Sequence, residues 1–416
     1  MITNKVRKAR VATFIGFLLL GAMMYVWSTG VSAFRHQMGL SGDAGDVNFG
    51  LLALGIGIGS SVGAFIVGGL IDRFGAKAVV CACLIGYPLS IIPMGFVSEF
   101  YFALTFGAVL GLLRGALDTA INAHGIQVER FYQRPIMSAF HAFYALGGFF
   151  AGMAGSWFSG LYHESASVQF SVMGGVILVS GALVSFWLLG KNDVPALEAA
   201  PAGAEVSSSP PVAPTSKAIV ILMVGLGLLL LGAMIGESVI GDWGQEFVRR
   251  EFATTAALAG VAVSTFTGAE FVGRFLGDRL AARFGSTQVI FCSSIIAIVG
   301  LVVVVLGGSA ATSIAGFGLF GLGMSCIAPL LLSSAGRMDP ANAGRNIAIV
   351  NSIGYSGMLV APAAITVIVN AFGLGALIYL PIVMMMLLAL FGPLMLRTPK
   401  SQSSVSPTTQ WAATPK

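Results

Sequence analysis

The residues of this sequence that can do chemistry are ionisable side chains inside long apolar runs. Arg114 and Asp118 are four residues apart in one run, and Glu270 and Arg274 have the same spacing in another. An ionisable side chain at the centre of a bilayer costs roughly 2.5–3.5 kcal/mol on insertion scales, which makes each a candidate functional residue. Because a low-dielectric environment disfavours the charged form of a carboxyl group, Asp118 and Glu270 are the predicted proton carriers.

The same spacing also permits a purely structural interpretation. Residues at positions i and i+4 lie on one face of a helix and can form an ion pair. Arg114 with Asp118 would then only lock helix packing, and Glu270 with Arg274 would form part of the charge cluster that contains Asp278 and Arg279. If Arg114 faces a cavity instead, its guanidinium group is a candidate for substrate binding or proton coupling and favours an anionic substrate group. The sequence leaves both interpretations open.

His141 and Tyr144 lie about one turn apart near the start of a further apolar run. A histidine can exchange protons near neutral pH, so His141 is a third proton-coupling candidate. It can equally be a neutral hydrogen-bond donor between helices. The Tyr144 hydroxyl group is a candidate for binding a polar substrate.

Composition indicates which elements must position these residues. Of 416 residues, 56% are hydrophobic and 9% are charged, against about 25% charged residues in ordinary soluble proteins. This excludes a soluble enzyme, a disordered chain and a secreted disulfide scaffold. The apolar runs are long and continuous, whereas a β-barrel alternates apolar and polar residues in segments of about ten. The sequence therefore predicts an all-α integral membrane protein.

Twelve apolar runs are long enough for a helix of about 20 residues that spans a bilayer. They fall at 11–34, 47–71, 78–97, 100–122, 136–160, 168–190, 217–241, 255–277, 286–307, 311–334, 345–369 and 372–396.

Lysine and arginine residues predict the orientation. With both termini in the cytoplasm, nearly all basic residues fall in cytoplasmic loops, as the positive-inside rule requires. Only Arg35, Arg249 and Arg250 fall on the opposite side. The net charge of +5 is thus explained by membrane topology, and no nucleic-acid partner is predicted.

The chain divides into two similar halves. Residues 191–216 are rich in Pro, Ala and Ser without an apolar period, which predicts a flexible cytoplasmic linker. It separates six runs in 1–190 from six in 217–396, and a polar tail, 397–416, is predicted to be disordered. Related sequences follow the second run of each half, which indicates an internal duplication of the kind that builds transporters.

The loop after the second run, GGLIDRFGAK, resembles motif A of the major facilitator superfamily. The matching residues are Gly68, Leu70, Asp72, Arg73, Gly75 and Lys77, and a looser copy in the second half contains Gly277, Asp278 and Arg279. The resemblance implies two pseudo-symmetric six-helix bundles and a gating role for this charge cluster, which holds the cytoplasmic side shut in one state. The alternative is a topological anchor with solvated charges.

The resemblance also implies which helices line the substrate cavity. On these helices, Tyr25 and Trp27 in the first run and Asn351 and Tyr355 in the eleventh are candidate substrate-binding residues, with ordinary packing as the alternative. Glu237, near the outer end of the seventh run, is a candidate for lining the outer vestibule.

Four further passages resemble bacterial facilitators related to the fucose permease. They begin at Gly111, Phe140, Glu237 and Gly354. Fucose-type symporters carry an acidic residue in the first span, and residues 11–34 contain none. Drug–proton antiporters commonly carry G-P-x-x-G-G in the fifth span, and this chain has no proline there.

Other kinds of chemistry lack their motifs. The sequence contains no phosphate-binding P-loop, no H-E-x-x-H and no G-x-S-x-G, so no ATPase, zinc protease or serine hydrolase is predicted. The four cysteines lie in apolar runs without metal-ligand spacing. We therefore predict no enzyme activity, no metal and no cofactor.

The sequence as a whole predicts a multi-pass secondary transporter of a bacterial inner membrane, with both termini cytoplasmic. It would move a small polar organic solute, of sugar or organic-acid type, by alternating access with proton coupling. One alternative is a proton-driven efflux antiporter for drugs or metabolites. Another is a membrane sensor or assembly protein that keeps the fold without transport. The predicted partners are the solute, protons and the lipid bilayer, and the family expectation is a monomer.

Overall fold

The computed structural model describes residues 3–132, 136–190, 193, 217–339 and 342–396, without the side chains of residues 43, 138, 278, 343 and 344. Within these ranges every regular element is helical. The predicted linker, 191–216, lies outside the described residues apart from Asp193. The predicted tail, 397–416, lies outside them entirely.

Six long helices occupy the first half of the chain. Each overlaps one predicted apolar run, because a backbone in hydrocarbon must satisfy its hydrogen bonds within its own segment. They are α1 (Asn4–Gln37), α2 (Gly42–Phe74), α3 (Ala76–Met94), α4 (Phe100–Tyr132), α5 (Met137–Leu161) and α6 (Ser167–Ser185).

The second half contains more helices because three of its apolar runs are broken. The break between α11 and α12 lies just before Pro329, which lacks the N–H that would bond Ser325. The elements are α7 (Lys217–Ser238), a π-helical turn (Val239–Trp243), α8 (Gly244–Glu251), α9 (Ala256–Phe284), α10 (Ser286–Gly307), α11 (Ala310–Met324), α12 (Ile327–Met338), α13 (Ala343–Tyr355), α14 (Gly357–Phe372), a 3-10 turn (Leu374–Ile378) and α15 (Tyr379–Leu396).

Eleven helical segments in the described part of the chain are long and apolar enough to cross a membrane. The helix α5 is not among them, although it has 25 residues. Its first turns carry His141 and Tyr144, which lower its mean hydropathy. Because α5 packs along both α1 and α9, we retain it as the twelfth span that the sequence predicts.

The two halves contact each other along α5 and α9. Ser156 Oγ and Ser264 Oγ are 3.5 Å apart across this contact. A Cβ atom added to Gly152 would lie 2.4 Å from Ser264 Oγ, and one added to Gly260 would lie 2.4 Å from Ser156 Oγ. Small residues thus let the two backbones approach closely. We call these four residues the α5–α9 seam.

A second contact between the halves joins α2 to α14. We name the side where α1 ends and α2 begins the distal side, and the side where α2 ends the terminal side. A Cβ atom at Gly50, toward the distal side, would lie 2.0 Å from Thr366 Oγ1, whereas a Cβ atom at Gly68 would meet nothing within 4 Å. A Cβ atom at Gly57, near the middle of α2, would lie 3.3 Å from Met358 O, so α2 approaches α14 at Gly50 and Gly57 and has open space at Gly68.

Candidate functional site

Polar and ionisable side chains from both halves interact with one another between the two bundles. Arg114 interacts electrostatically with Tyr87, Tyr144 and Asp242 as well as Asp118. We call the whole group the central cluster, and its members are Tyr25, Tyr87, Arg114, Asp118, Tyr144, Glu237, Asp242, Glu270, Arg274 and Tyr355. Seven of the predicted site residues therefore lie together with Arg274.

Arg114 and Asp118 do not form the direct ion pair that their spacing permits. No carboxylate oxygen of the described residues lies within 4.0 Å of the Arg114 guanidinium. Asp118 instead accepts a hydrogen bond of 3.1 Å from Asn122 Nδ2. Both Arg114 and Asp118 are half-buried and interact electrostatically, without the direct ion pair of the packing alternative.

Asn122 joins Asp118 to His141. Asn122 Oδ1 and His141 Nε2 are 3.1 Å apart. Since Asn122 Nδ2 donates to Asp118, its Oδ1 accepts, so His141 Nε2 must carry the hydrogen. His141 Nδ1 is then the ring nitrogen that can accept a proton.

Arg274 joins this group to Glu270 and crosses between the halves. Its Nη2 pairs with Glu270 Oε1, as the i, i+4 spacing predicts, and its Nη1 donates to the backbone carbonyl of His141 at 3.3 Å. The other Glu270 oxygen, Oε2, is buried and has no hydrogen-bond partner. Asp118 and Glu270 are therefore connected through Asn122, His141 and Arg274.

Glu237 interacts with three tyrosines and an arginine. Tyr25, Tyr144 and Tyr355 each interact electrostatically with its carboxylate, and so does Arg274. Tyr144 Oη also donates to Met24 Sδ at 3.0 Å. Glu237 is half-buried, and no direct hydrogen bond or ion pair joins its side chain to another described residue.

Trp27 and Asn351 are not among the cluster members named above. Trp27 packs among Phe34, Phe49 and Phe170, with ring centroids 5.4–6.3 Å apart, and its side chain also interacts with that of Asp242. Asn351 is exposed.

Three cluster or linking residues were absent from the sequence prediction, namely Tyr87, Asn122 and Asp242. Asn122 had a local signal, because it lies four residues after Asp118. Tyr87 and Asp242 reach Arg114 from α3 and the π-helical turn, and no spacing along the chain reveals such a contact. Among the described residues, no group of three or more His, Cys, Asp or Glu side chains could hold a metal ion.

A second charge cluster joins the halves on the distal side. Asp46 pairs with Arg35 and, at 2.7 Å, with Arg250 Nη1. Glu246 pairs with Arg249 at 2.7 Å and accepts a hydrogen bond of 2.7 Å from Ser32 Oγ. We call Arg35, Asp46, Glu246, Arg249 and Arg250 the distal lock. It links α1 and α2 to α8, and the sequence analysis had treated its arginines only as loop charges.

The distal lock lies beside a cavity of about 720 Å³. The lining includes Arg35, His36, His163, Arg249 and Arg250. No member of the central cluster lines it. This cavity is therefore a distal vestibule, separate from the central cluster.

Comparison with known proteins shows similarity to transporters. A family model described as Major Facilitator Superfamily matches residues 218–414. The chain is 28% identical over 357 residues to an uncharacterized transporter of Sinorhizobium fredii, covering 86% of this chain and 90% of the relative. It is 27% identical to an uncharacterized MFS-type transporter of Yersinia pestis, covering 90% and 94%. The second half of the chain thus matches the major facilitator superfamily, and the whole chain is similar to transporters of this type.

Solved structures of this superfamily share the fold. The nucleoside transporter NupG superposes with a TM-score of 0.68 at 13% identity, covering 95% of this chain and 100% of NupG. A D-xylose–proton symporter superposes with a TM-score of 0.70 at 14% identity, covering 93% and 97%. Relatives and family are transporters, not enzymes. The fucose-permease-like subgroup stays a prediction.

The two regions that resemble motif A end in equivalent glycines. Gly75 follows α2 with φ +84°, and Gly285 follows α9 with φ +82°, a backbone region that favours glycine. Asp72 lies three residues before Gly75, whereas Asp278 lies seven residues before Gly285. When the two regions are aligned on these glycines, Arg73 corresponds to Arg283, and Asp72 and Asp278 occupy different positions.

Arginine–phenylalanine contacts support this alignment. The Arg73 guanidinium lies 5.1 Å from the Phe74 ring centroid, and Arg283 lies 5.2 Å from that of Phe284. Lys77 Nζ donates to Leu188 O at 3.0 Å, so it ties α3 to the end of α6. The gating role of Gly68, Asp72, Arg73, Gly75, Lys77, Gly277, Asp278 and Arg279 stays a prediction.

Proposed function

We propose that this protein is a secondary active transporter that moves a small polar organic solute by alternating access, coupled to protons. The observation that carries this proposal is the central cluster, in which half-buried charged groups of both bundles meet beneath the distal lock. The names of the D-xylose–proton symporter and the nucleoside transporter NupG support a sugar-like solute. The proposed location is the bacterial inner membrane, and the proposed oligomeric state is a monomer.

Alternating access would move the bundle formed by 1–190 against that formed by 217–396. With cytoplasmic termini, the distal side is periplasmic and the distal lock closes it. The end of α2 has open space at Gly68, which supports access to the central cluster from the cytoplasmic side. Breaking the distal lock and closing motif A would give the opposite state.

Proton coupling would use Asp118 and Glu270. Each can lose its charge in the low-dielectric interior, and Asn122, His141 and Arg274 connect them. Protonation of Asp118 would change its hydrogen bond with Asn122, and protonation of Glu270 would change its ion pair with Arg274. Both contacts belong to the connection between the bundles. A proton that crosses 100 mV contributes about 2.3 kcal/mol, enough for a solute gradient of roughly fifty-fold.

The test uses the purified full-length chain in liposomes that contain a pH-sensitive dye. Without an imposed proton gradient, we would add sugars, organic acids, amino acids and cationic dyes in turn. We expect internal acidification that Asp118→Asn or Glu270→Gln abolishes and that Glu164→Gln, at an exposed position, leaves unchanged. Uptake of labelled solute without acidification, unaffected by either variant, would leave a uniporter and reject proton coupling.

The same assay separates the two alternatives. Internal alkalinisation on addition of a cationic dye would support the efflux antiporter. The sensor or assembly protein requires Asp118, Glu270 and Arg114 all to be paired away from a cavity. Of these three residues, only Glu270 forms an ion pair with another described residue, which favours transport.

A further inference from the structure

The distal vestibule is lined mainly by basic groups. Three guanidinium groups and two imidazole rings belong to its lining, those of Arg35, Arg249, Arg250, His36 and His163. Among the described residues, Glu246 is the one acidic side chain in the lining. A ligand that enters this cavity therefore meets more positive than negative groups.

The distal lock does not neutralise its own charge. It holds three guanidinium groups against the two carboxylates of Asp46 and Glu246. Asp46 is shared between Arg35 and Arg250, and Glu246 pairs with Arg249 at 2.7 Å. One positive charge therefore has no counter-ion within the lock. Because uncompensated charge at a buried site is unfavourable, an anion in the vestibule would complete the charge balance.

Arg35 supplies an unused hydrogen-bond donor at this cavity. Its side chain is 2% exposed and belongs to the lining of the vestibule. Its Nη2 pairs with Asp46 and its Nε lies 3.7 Å from Glu246 Oε1, but its Nη1 has no hydrogen-bond partner among the described residues. A buried donor without an acceptor is costly, and carboxylate oxygens form short, strong hydrogen bonds with guanidinium groups.

Two helices begin in the lining of the vestibule. The helix α2 follows Ser41, whose side chain forms no capping hydrogen bond, and α9 begins at Ala256; both residues line the cavity. The first N–H groups of a helix have no partner within it, and the helix dipole makes this end positive. The C-terminal ends of α1 and α8 each carry two basic residues in the last turn, which offset their negative dipole ends. The helix ends therefore add to the attraction for an anion.

We propose that the distal vestibule is a binding site for an organic anion whose carboxylate group is held by Arg35, Arg249 and Arg250. A volume of about 720 Å³ exceeds what an inorganic ion fills and suits a small organic molecule. Arg249 and Arg250 are 39% and 30% exposed, so both can reach a ligand from the solvent side. The inference goes beyond the proposed function, because binding in the vestibule does not require that the anion crosses the membrane.

The test compares ligands that share a scaffold and differ in charge. Glucuronate, glucose and glucosamine form one series, and benzoate, benzamide and benzylamine form a second. Each would be added at neutral pH and low ionic strength to the purified full-length chain in detergent. The measure of affinity is thermal stabilisation over a range of ligand concentrations. We expect the anion of at least one series to bind at least tenfold more tightly than its neutral and cationic partners.

Three results of this comparison would overturn the proposal. The first is the absence of binding by either anion. The second is that the neutral or cationic member binds as tightly as the anion in both series. The third is binding of inorganic phosphate, added alone, in place of both carboxylates, because the vestibule would then hold an inorganic anion only.

Arg249 offers the variant that locates the site. Its ion pair with Glu246 lies within α8, so Arg249→Gln removes one guanidinium group and leaves the contacts of Asp46 in place. We expect anion affinity to fall at least tenfold, with the unfolding temperature without ligand close to that of the parent. Lys5→Gln removes a positive charge on the terminal side and should leave anion affinity unchanged. Unchanged affinity in Arg249→Gln, or an equal loss in Lys5→Gln, would contradict a site in the vestibule.

Uptake by liposomes separates this site from the proposed transport. Proton-coupled uptake of labelled glucose, without binding of either anion, would overturn the vestibule site and leave transport standing. Anion binding that depends on Arg249, with no uptake of any labelled solute, would support the site and count against transport.

Discussion

Arg250 of α8 donates to Asp46 of α2 at 2.7 Å, and this contact joins the two halves of the chain. The same Asp46 carboxylate pairs with Arg35 of α1, whose side chain is buried at 2% exposure. One carboxylate therefore holds a basic group from each bundle. Removing it would release both contacts at once.

We predict that Asp46→Asn opens the distal side. Loss of the carboxylate leaves the buried Arg35 poorly paired, at a cost of about 3–5 kcal/mol to the closed state. Spin labels at Ser98→Cys and Glu251→Cys, both exposed on the distal side, would report the distance between the bundles. The four native cysteines would be replaced first. The mean distance between the two labels should increase in Asp46→Asn and stay unchanged in Glu164→Gln. Identical distance distributions in the two variants would show that the distal lock does not hold the distal side closed.

We predict a non-additive effect on stability at Glu270 and Arg274. Arg274→Gln leaves the Glu270 carboxylate, which is 2% exposed, without its partner and should destabilise the protein by about 3–5 kcal/mol. Adding Glu270→Gln should recover most of that loss, because the uncompensated charge is then gone. Thermal unfolding in detergent of both single variants and the double variant measures this coupling. If the stability lost in the double variant equals the sum of the losses in the two single variants, Glu270 and Arg274 do not act as a unit.

We predict that Gly152→Val disrupts the α5–α9 seam. The added side chain would begin 2.4 Å from Ser264 Oγ, and overpacking of this kind costs about 1–3 kcal/mol. Gly175→Val is the matched control, because a Cβ atom there meets nothing within 4 Å. The thermal unfolding temperature and the rate of solute uptake should both decrease in Gly152→Val and stay unchanged in Gly175→Val. Equal losses in the two variants would attribute the effect to the loss of glycine rather than to the seam.

We predict that Lys5 controls the titration of Asp193, which lies after α6. Lys5 Nζ is 2.6 Å from Asp193 Oδ1, and this hydrogen bond, with that from the Gly190 N–H, lowers the pKa of Asp193. A lowered pKa means that the contact is present above the ordinary pKa of Asp and is lost as pH falls through the lowered value. Carbon-13 NMR of labelled aspartate should show a higher pKa for Asp193 in Lys5→Gln. The same substitution at Lys8 should leave it unchanged.

The sequence predicts the helices well because the bilayer restricts them strongly. A backbone in hydrocarbon must be helical over about 20 residues, so apolar runs mark the spans directly. The Glu270–Arg274 pair was equally predictable, since residues at i and i+4 face each other. The helix α5 was predicted from its position as well as its length, although His141 and Tyr144 lower its hydropathy.

Contacts between distant helices explain what the sequence did not predict. Arg114 and Asp118 have the same spacing as Glu270 and Arg274, yet Asn122 bonds Asp118 and the groups around Arg114 come from other helices. The distal lock brings together Asp46 and Arg250 from different halves. The alignment of the two repeated regions rests on Gly75 and Gly285. Both have a positive φ, which the amino-acid sequence alone does not reveal.

The α5–α9 seam has a consequence for turnover. A transporter must separate and rejoin parts of its bundle interface in every cycle. Glycine has no side-chain rotamers to lose on burial, and serine has few, so the conformational entropy that each rejoining removes is small. The α5–α9 seam can therefore separate and rejoin repeatedly at a small cost in conformational entropy. Long side chains in the seam would make this cost larger.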